Sequence, residues 1–233
     1  MRSYNSAAVH ILDFLLASAL LFGMPGYALL RGCLTGQTSV DKRKRYRKSI
    51  AVIAIFLMFL FVDWVSGSRG FAQLGLAAPT TDSAIAGFLV ALFVPGIVFL
   101  ALIAKSNVQK AAQPGGQADT ILPQSRDELR SFVVFAIVAG FGWEVLYRGF
   151  LLFCLSPIIG LVPSVAASSI AYGLSHGCKT VTQTMGSLVS ALLFTTGYAA
   201  TGSLWWLIIL HIALPLVSML ALSRIKRQLS PTD

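Results

Sequence analysis

Seven long apolar runs alternate with short polar stretches along the chain. They lie near Val9 to Leu30, Ile50 to Val65, Ala84 to Ala104, Ser131 to Leu155, Ile158 to Ser175, Met185 to Ala200 and Leu204 to Leu222. Each approaches or reaches the roughly 20 residues an α-helix needs to cross a bilayer core. The pattern predicts an all-α fold, a polytopic membrane helical bundle of about seven transmembrane helices. The breaks carry turn chemistry. Pro114-Gly115-Gly116 and Pro123 mark the polar stretch Ala111 to Glu128 as a loop. Ser156-Pro157 is expected to end the fourth helix, and Thr201-Gly202-Ser203 to turn the chain into the seventh. Pro95-Gly96, in the middle of the third run, predicts a kink. Ser164, Ser168 and Ser169 give the fifth helix small side chains for close packing.

Composition agrees with the pattern. Of 233 residues, 56% are hydrophobic and 12% charged, and the mean hydropathy is +0.76; soluble domains carry about 25% charged residues. The net charge of +9 would suggest a nucleic-acid partner in a soluble protein. Here the charges cluster beside apolar runs, in Lys42 to Lys48, in Lys105, Lys110, Arg126 and Arg130, and in Arg224 to Arg227. They read as topology determinants, with no nucleic-acid partner. Seven spans with an external N-terminus put every basic loop and the basic C-terminal tail in the cytoplasm. The expected location is the bacterial cytoplasmic membrane, with anionic lipid headgroups as partners of the basic loops. Val9 to Leu30 reads as a permanent span, being too long for a signal peptide and running into a basic stop-transfer cluster. Cys33, Cys154 and Cys178 show neither a disulfide framework nor metal-pair spacing. Asp13 is expected to snorkel or pair near the interface.

The candidate chemistry sits inside the fourth run, in Phe141-Gly142-Trp143-Glu144-Val145-Leu146-Tyr147-Arg148-Gly149-Phe150. Glu144 and Arg148, four apart, stack on one helix face. Ionisable side chains at membrane depth are costly and mark functional sites. Two later runs each carry a histidine, His176 and His211. A buried carboxylate beside a histidine can activate water as a general base, a second imidazole can donate to an oxyanion, and Arg148 can orient Glu144. A structural Glu144–Arg148 ion pair, interhelical hydrogen-bonding histidines and a proton relay remain alternatives. Glu144, His176 and His211 are also a two-histidine, one-carboxylate set that could take a metal. No His-Glu-x-x-His signature is present, so a site without metal or other cofactor is favoured.

Three motifs carry a resemblance. Trp143-Glu144-Val145-Leu146-Tyr147-Arg148-Gly149, Tyr172-Gly173-Leu174-Ser175-His176 and His211-Ile212-Ala213-Leu214-Pro215 resemble, in order, the motifs of the CAAX-processing and bacteriocin-processing (Abi) family of membrane proteases. Those motifs are paired glutamates followed after three residues by arginine, an aromatic three residues before histidine, and histidine three residues before asparagine or aspartate. The likeness covers about Ser131 to Leu222. It departs at Trp143, where the family has its first glutamate, and at Pro215, where it has the asparagine. The resemblance implies an intramembrane endopeptidase acting on membrane-associated or secreted peptides and proteins. Glu144 with His176 would activate water, His211 would stabilise the oxyanion, and Arg148 would hold Glu144. A family member with impaired catalysis, binding peptides or serving as a membrane scaffold, is the alternative. The expected organisation is N-terminal helices with basic loops over 1–130, a protease-like core over 131–223 and a basic tail over 224–233.

Overall fold

A computed structural model describes residues 11–34, 41–78, 80–82, 87, 123–176 and 181–229. The third predicted run lies outside the described residues except for Gly87, as do the kink expected at Pro95-Gly96 and most of the 111–128 loop. The other six predicted runs are helical. Helices α1 (Ile11–Ser18) and α2 (Met24–Leu34) are joined by a π-helical turn, Ala19–Gly23. Helix α3 is Lys42–Ser66, followed by a 3₁₀ turn, Phe71–Leu74. Helix α4 (Arg126–Trp143) passes through a π-helical segment, Glu144–Phe150, into α5 (Leu151–Ile159). Helices α6 (Leu161–Ser175), α7 (Val181–Thr201) and α8 (Trp205–Leu229) complete the bundle. Four rods, Ile11–Leu30, Lys42–Ser66, Arg126–Ile159 and Trp205–Arg224, are long and apolar enough to cross a membrane, and α6 is a shorter apolar helix. This is an integral membrane protein.

Three helix ends differ from the sequence expectation, each for a local reason. Lys42 to Lys48, expected as a loop, forms the first turns of α3 because Asp41 caps it, accepting from the Arg43 amide at 2.9 Å. Helix α4 starts at Arg126 rather than Ser131. Ser125 Oγ accepts from the Glu128 amide at 3.1 Å, while Glu128 reaches back to the Gln124 amide at 2.8 Å, a close variant of the capping box. The break expected at Ser156-Pro157 falls instead at Gly160. Helix α5 continues past Pro157 to Ile159, and the chain turns where Gly160 takes φ +84°, a conformation that favours glycine. The basic tail is also partly helical, since α8 runs to Leu229.

The bundle has a basic end and an opposite end. At the basic end, α3 and α4 begin side by side, with Lys42 3.9 Å from Glu128 and Arg43 3.9 Å from Asp127. They run parallel, and Gly142 lets Ile53 of α3 approach the α4 backbone. Helix α8 returns antiparallel along α4. Gly140 packs on Ile212, and Met219 reaches Phe132 and Tyr46 near the basic end. At the opposite end the 67–78 segment covers the helix ends. The Leu204 amide donates to Gly75 O at 3.0 Å, and Trp205 donates to Ala77 O at 3.0 Å. Gly149 lies so near this segment that a Cβ there would stand 2.8 Å from Leu74 O.

Asp13 does pair, and it is buried. The Arg69 guanidinium forks onto it at 2.8 and 2.7 Å and reaches Asp63 at 3.2 Å, joining α1, α3 and the covering segment. Arg69 also lies over the rings of Trp64 and Phe153. The two π turns meet at the centre of the bundle. A π turn disturbs the regular backbone ladder and leaves carbonyls seeking other donors. Tyr147 donates to Leu20 O at 3.2 Å, and Ser168 donates to Tyr147 O at 2.6 Å. The small serine expected to permit close packing thus also satisfies a displaced carbonyl.

Candidate active site

The π segment Glu144–Phe150 is buried along its whole length. Glu144 and Arg148 are both fully excluded from solvent, and Arg148 Nη1 lies 3.3 Å from Glu144 Oε1. The i,i+4 relationship expected on a regular helix survives the wider turn. Helix α8 delivers His211, whose Nδ1 is 2.6 Å from the same Glu144 Oε1. A carboxylate only accepts, so Nδ1 is the nitrogen bearing hydrogen towards Glu144. His211 Nε2 is 3.3 Å from the Tyr172 hydroxyl. Both ring nitrogens of His211 are therefore engaged, one by an acid on α4's continuation and one by a phenol on α6.

Helix α6 ends at His176, which is stacked edge-on against Tyr172 with 4.3 Å between ring centroids. His176 Nδ1 faces the Tyr172 carbonyl at 3.0 Å. That carbonyl accepts, so the hydrogen is on Nδ1 and Nε2 carries the lone pair. Glu144 contacts both Arg148 and His211, and His176 joins them through Tyr172.

Tyr172 was legible in the sequence only as the aromatic member of a motif. Its ring lies under the Arg148 guanidinium, 3.9 Å from Cζ to the centroid, and its edge meets Tyr147 at 5.2 Å. The hydroxyl reaches His211. Nothing in its spacing alone announces that role, because the contacts come from α4, α6 and α8 together.

Tyr172, His176 and His211 line a cavity of about 560 Å³ between α4, α6, α7 and α8. Phe135, Ala139 and Trp143, four apart, form an apolar wall on α4, and Gln183, Ser187 and Ser190 form a more polar wall on α7. Leu214 and Pro215 close it along α8. Trp143 thus presents an indole to the cavity, while Glu144, one residue on, is turned inward to His211. Successive helical residues point about 100° apart, so the two cannot share a direction. Glu144 Oε2 and Arg148 Nε and Nη2 have no hydrogen-bond partner among the described protein atoms. Among the described residues, no three His, Cys, Asp or Glu side chains converge as metal ligands. Cys154 is buried outside this site.

No curated protein and no solved structure matches the chain. A family model does, over residues 125–217, the stretch that runs from the Ser125 cap of α4 through His211 and Pro215. The matching family is a protease family, described as type II CAAX prenyl endopeptidase Rce1-like, and the chain is similar to it over that stretch.

Proposed function

We propose that this protein is an intramembrane endopeptidase that hydrolyses peptide bonds of membrane-associated or secreted peptides and proteins. The observation that carries the reading is geometric. Two imidazoles from separate helices, His176 and His211, face one cavity, and a fully buried carboxylate, Glu144, holds one of them. The matched family is named for prenyl endopeptidases, which supports the reaction type. A prenylated C-terminus is one substrate class on this reading, not a requirement of it.

The cavity walls suit a peptide. The apolar wall of Phe135, Ala139 and Trp143 accepts a hydrophobic side chain, and the more polar wall of Gln183, Ser187 and Ser190 offers groups to a peptide backbone. His176 Nε2 takes the proton of a water as its oxygen adds to the scissile carbonyl, and returns it to the departing amine. Glu144 holds the second cavity-lining imidazole, His211, through Nδ1 at 2.6 Å. Arg148 Nη1, 3.3 Å away, orients Glu144, and His211 stands on the oxyanion side. The chemistry uses no metal or other cofactor. By the positive-inside rule the basic end faces the cytoplasm, with anionic lipid headgroups against it in the bacterial cytoplasmic membrane.

A second reading, a binding or scaffold protein with impaired catalysis, is favoured by Trp143 and Pro215, which replace two polar family residues. Purified protein in detergent, offered a quenched-fluorescent peptide library, separates the two. The endopeptidase reading expects cleavage that His176→Ala reduces by about 100-fold or more while thermal unfolding is unchanged. Cleavage by the wild type that His176→Ala leaves intact would refute it.

A further inference from the structure

We propose that Tyr172 is a further catalytic residue, its hydroxyl donating the hydrogen bond that stabilises the oxyanion formed on the substrate carbonyl. This rests on the endopeptidase reading above. His211 is the obvious donor by position, but both of its nitrogens are committed. Nδ1 holds Glu144 at 2.6 Å and Nε2 faces the Tyr172 hydroxyl at 3.3 Å. In the neutral imidazole with its hydrogen on Nδ1, His211 accepts at Nε2, and Tyr172 is the donor of that pair. Pro215, one turn beyond His211 on the same cavity wall, has no side-chain donor and no backbone N–H. The mobile hydrogen next to the reacting position therefore belongs to Tyr172.

Three observations fit the hydroxyl for that task. First, 3.3 Å is long for a bond from a hydroxyl, so little is lost when the O–H turns from His211 to a stronger acceptor. Second, the ring is held on three sides, with Arg148 on its face and the Tyr147 and His176 rings at 5.2 and 4.3 Å. A donor held in place before charge develops needs no reorganisation during reaction. Third, Tyr172 lines the same cavity as His176, so base and donor flank one space.

The step balances without another reagent. Water oxygen bonds to the carbonyl carbon while His176 Nε2 takes a water proton. The carbonyl π pair moves onto oxygen, where the Tyr172 O–H donates to it. The pair returns as the C–N bond breaks, and the amine leaves with the proton from His176. The products are a carboxylic acid and an amine.

Tyr172→Phe in the full chain tests this, because it removes one oxygen and keeps the ring under Arg148. The expected result is a fall in kcat of about 100-fold with KM unchanged. A peptide carrying a phosphinate at the scissile position, an anionic tetrahedral mimic, should bind the variant weaker by a similar factor. The corresponding product peptide should bind both proteins alike. Wild-type kcat with wild-type phosphinate affinity in Tyr172→Phe overturns the assignment, as does a loss confined to KM. If His176→Ala abolishes cleavage and Tyr172→Phe does not reduce it, the Tyr172 role alone falls. If the wild type cleaves no peptide, the endopeptidase reading falls and the phosphinate comparison still decides: equal affinity in the two proteins overturns the role of Tyr172.

Discussion

His211 Nδ1 lies 2.6 Å from Glu144 Oε1, although 67 positions of chain separate the two residues. The contact joins α8 to the π segment that follows α4, and it places a carboxylate behind one of two cavity-lining imidazoles. Glu144 also carries the Arg148 ion pair at 3.3 Å. One acid therefore serves two cationic or donor groups, and its removal should have two separable effects.

Glu144→Gln should leave the Arg148 guanidinium buried without its counter-charge. Stripping one partner from a buried pair costs about 3–5 kcal/mol, so thermal unfolding in detergent should fall clearly. Peptide cleavage should drop by about 100- to 10,000-fold. The double variant Glu144→Gln/Arg148→Met removes both charges and should recover most of the unfolding temperature but none of the cleavage. Recovery of cleavage in the double variant would mean that Glu144 serves only to balance Arg148.

Trp143 faces the cavity, next to Glu144, at the position where the motif it resembles has a first glutamate. Trp143→Glu would point a carboxylate at the same space as His176, where Glu144 is turned away. The variant should raise kcat, by up to about 100-fold. KM for substrates with large apolar side chains should rise too, because part of the apolar wall is lost. Unchanged or lower kcat in a folded Trp143→Glu protein would show that the inward-facing Glu144 suffices and that the second acid adds nothing here.

Arg69 ties Asp13 and Asp63 together outside the cavity lining. Arg69→Ala leaves two buried carboxylates side by side and should destabilise the protein by about 3–5 kcal/mol, read as a lower unfolding temperature. Asp13→Asn/Arg69→Ala should destabilise less than Arg69→Ala alone, because one carboxylate is gone. Additive losses in the double variant would contradict the ion-pair account.

Much of this protein was legible along the chain. Apolar run length marks the helices, because an unsatisfied backbone in lipid leaves the helix as the simplest choice, and four rods among the described residues are long and apolar enough to cross a membrane. Six predicted runs are helical among the described residues. Glu144, Arg148, His176 and His211 stood out because charge inside an apolar run is costly and seldom accidental. The start of α4 was missed, because the Ser125–Glu128 cap lies in the 111–128 stretch whose prolines and glycine pair pointed to a loop. Only the tertiary structure decided the partners. The 100° step between successive helical residues keeps Trp143 and Glu144 apart, but only packing decided that Trp143 meets the cavity and Glu144 meets His211. Tyr172 was only the aromatic of a motif until packing brought Arg148 and His211 around it. Spacing along one helix determines which side chains share a face; which face meets which neighbour depends on packing between helices, and the chemistry of this site arises there.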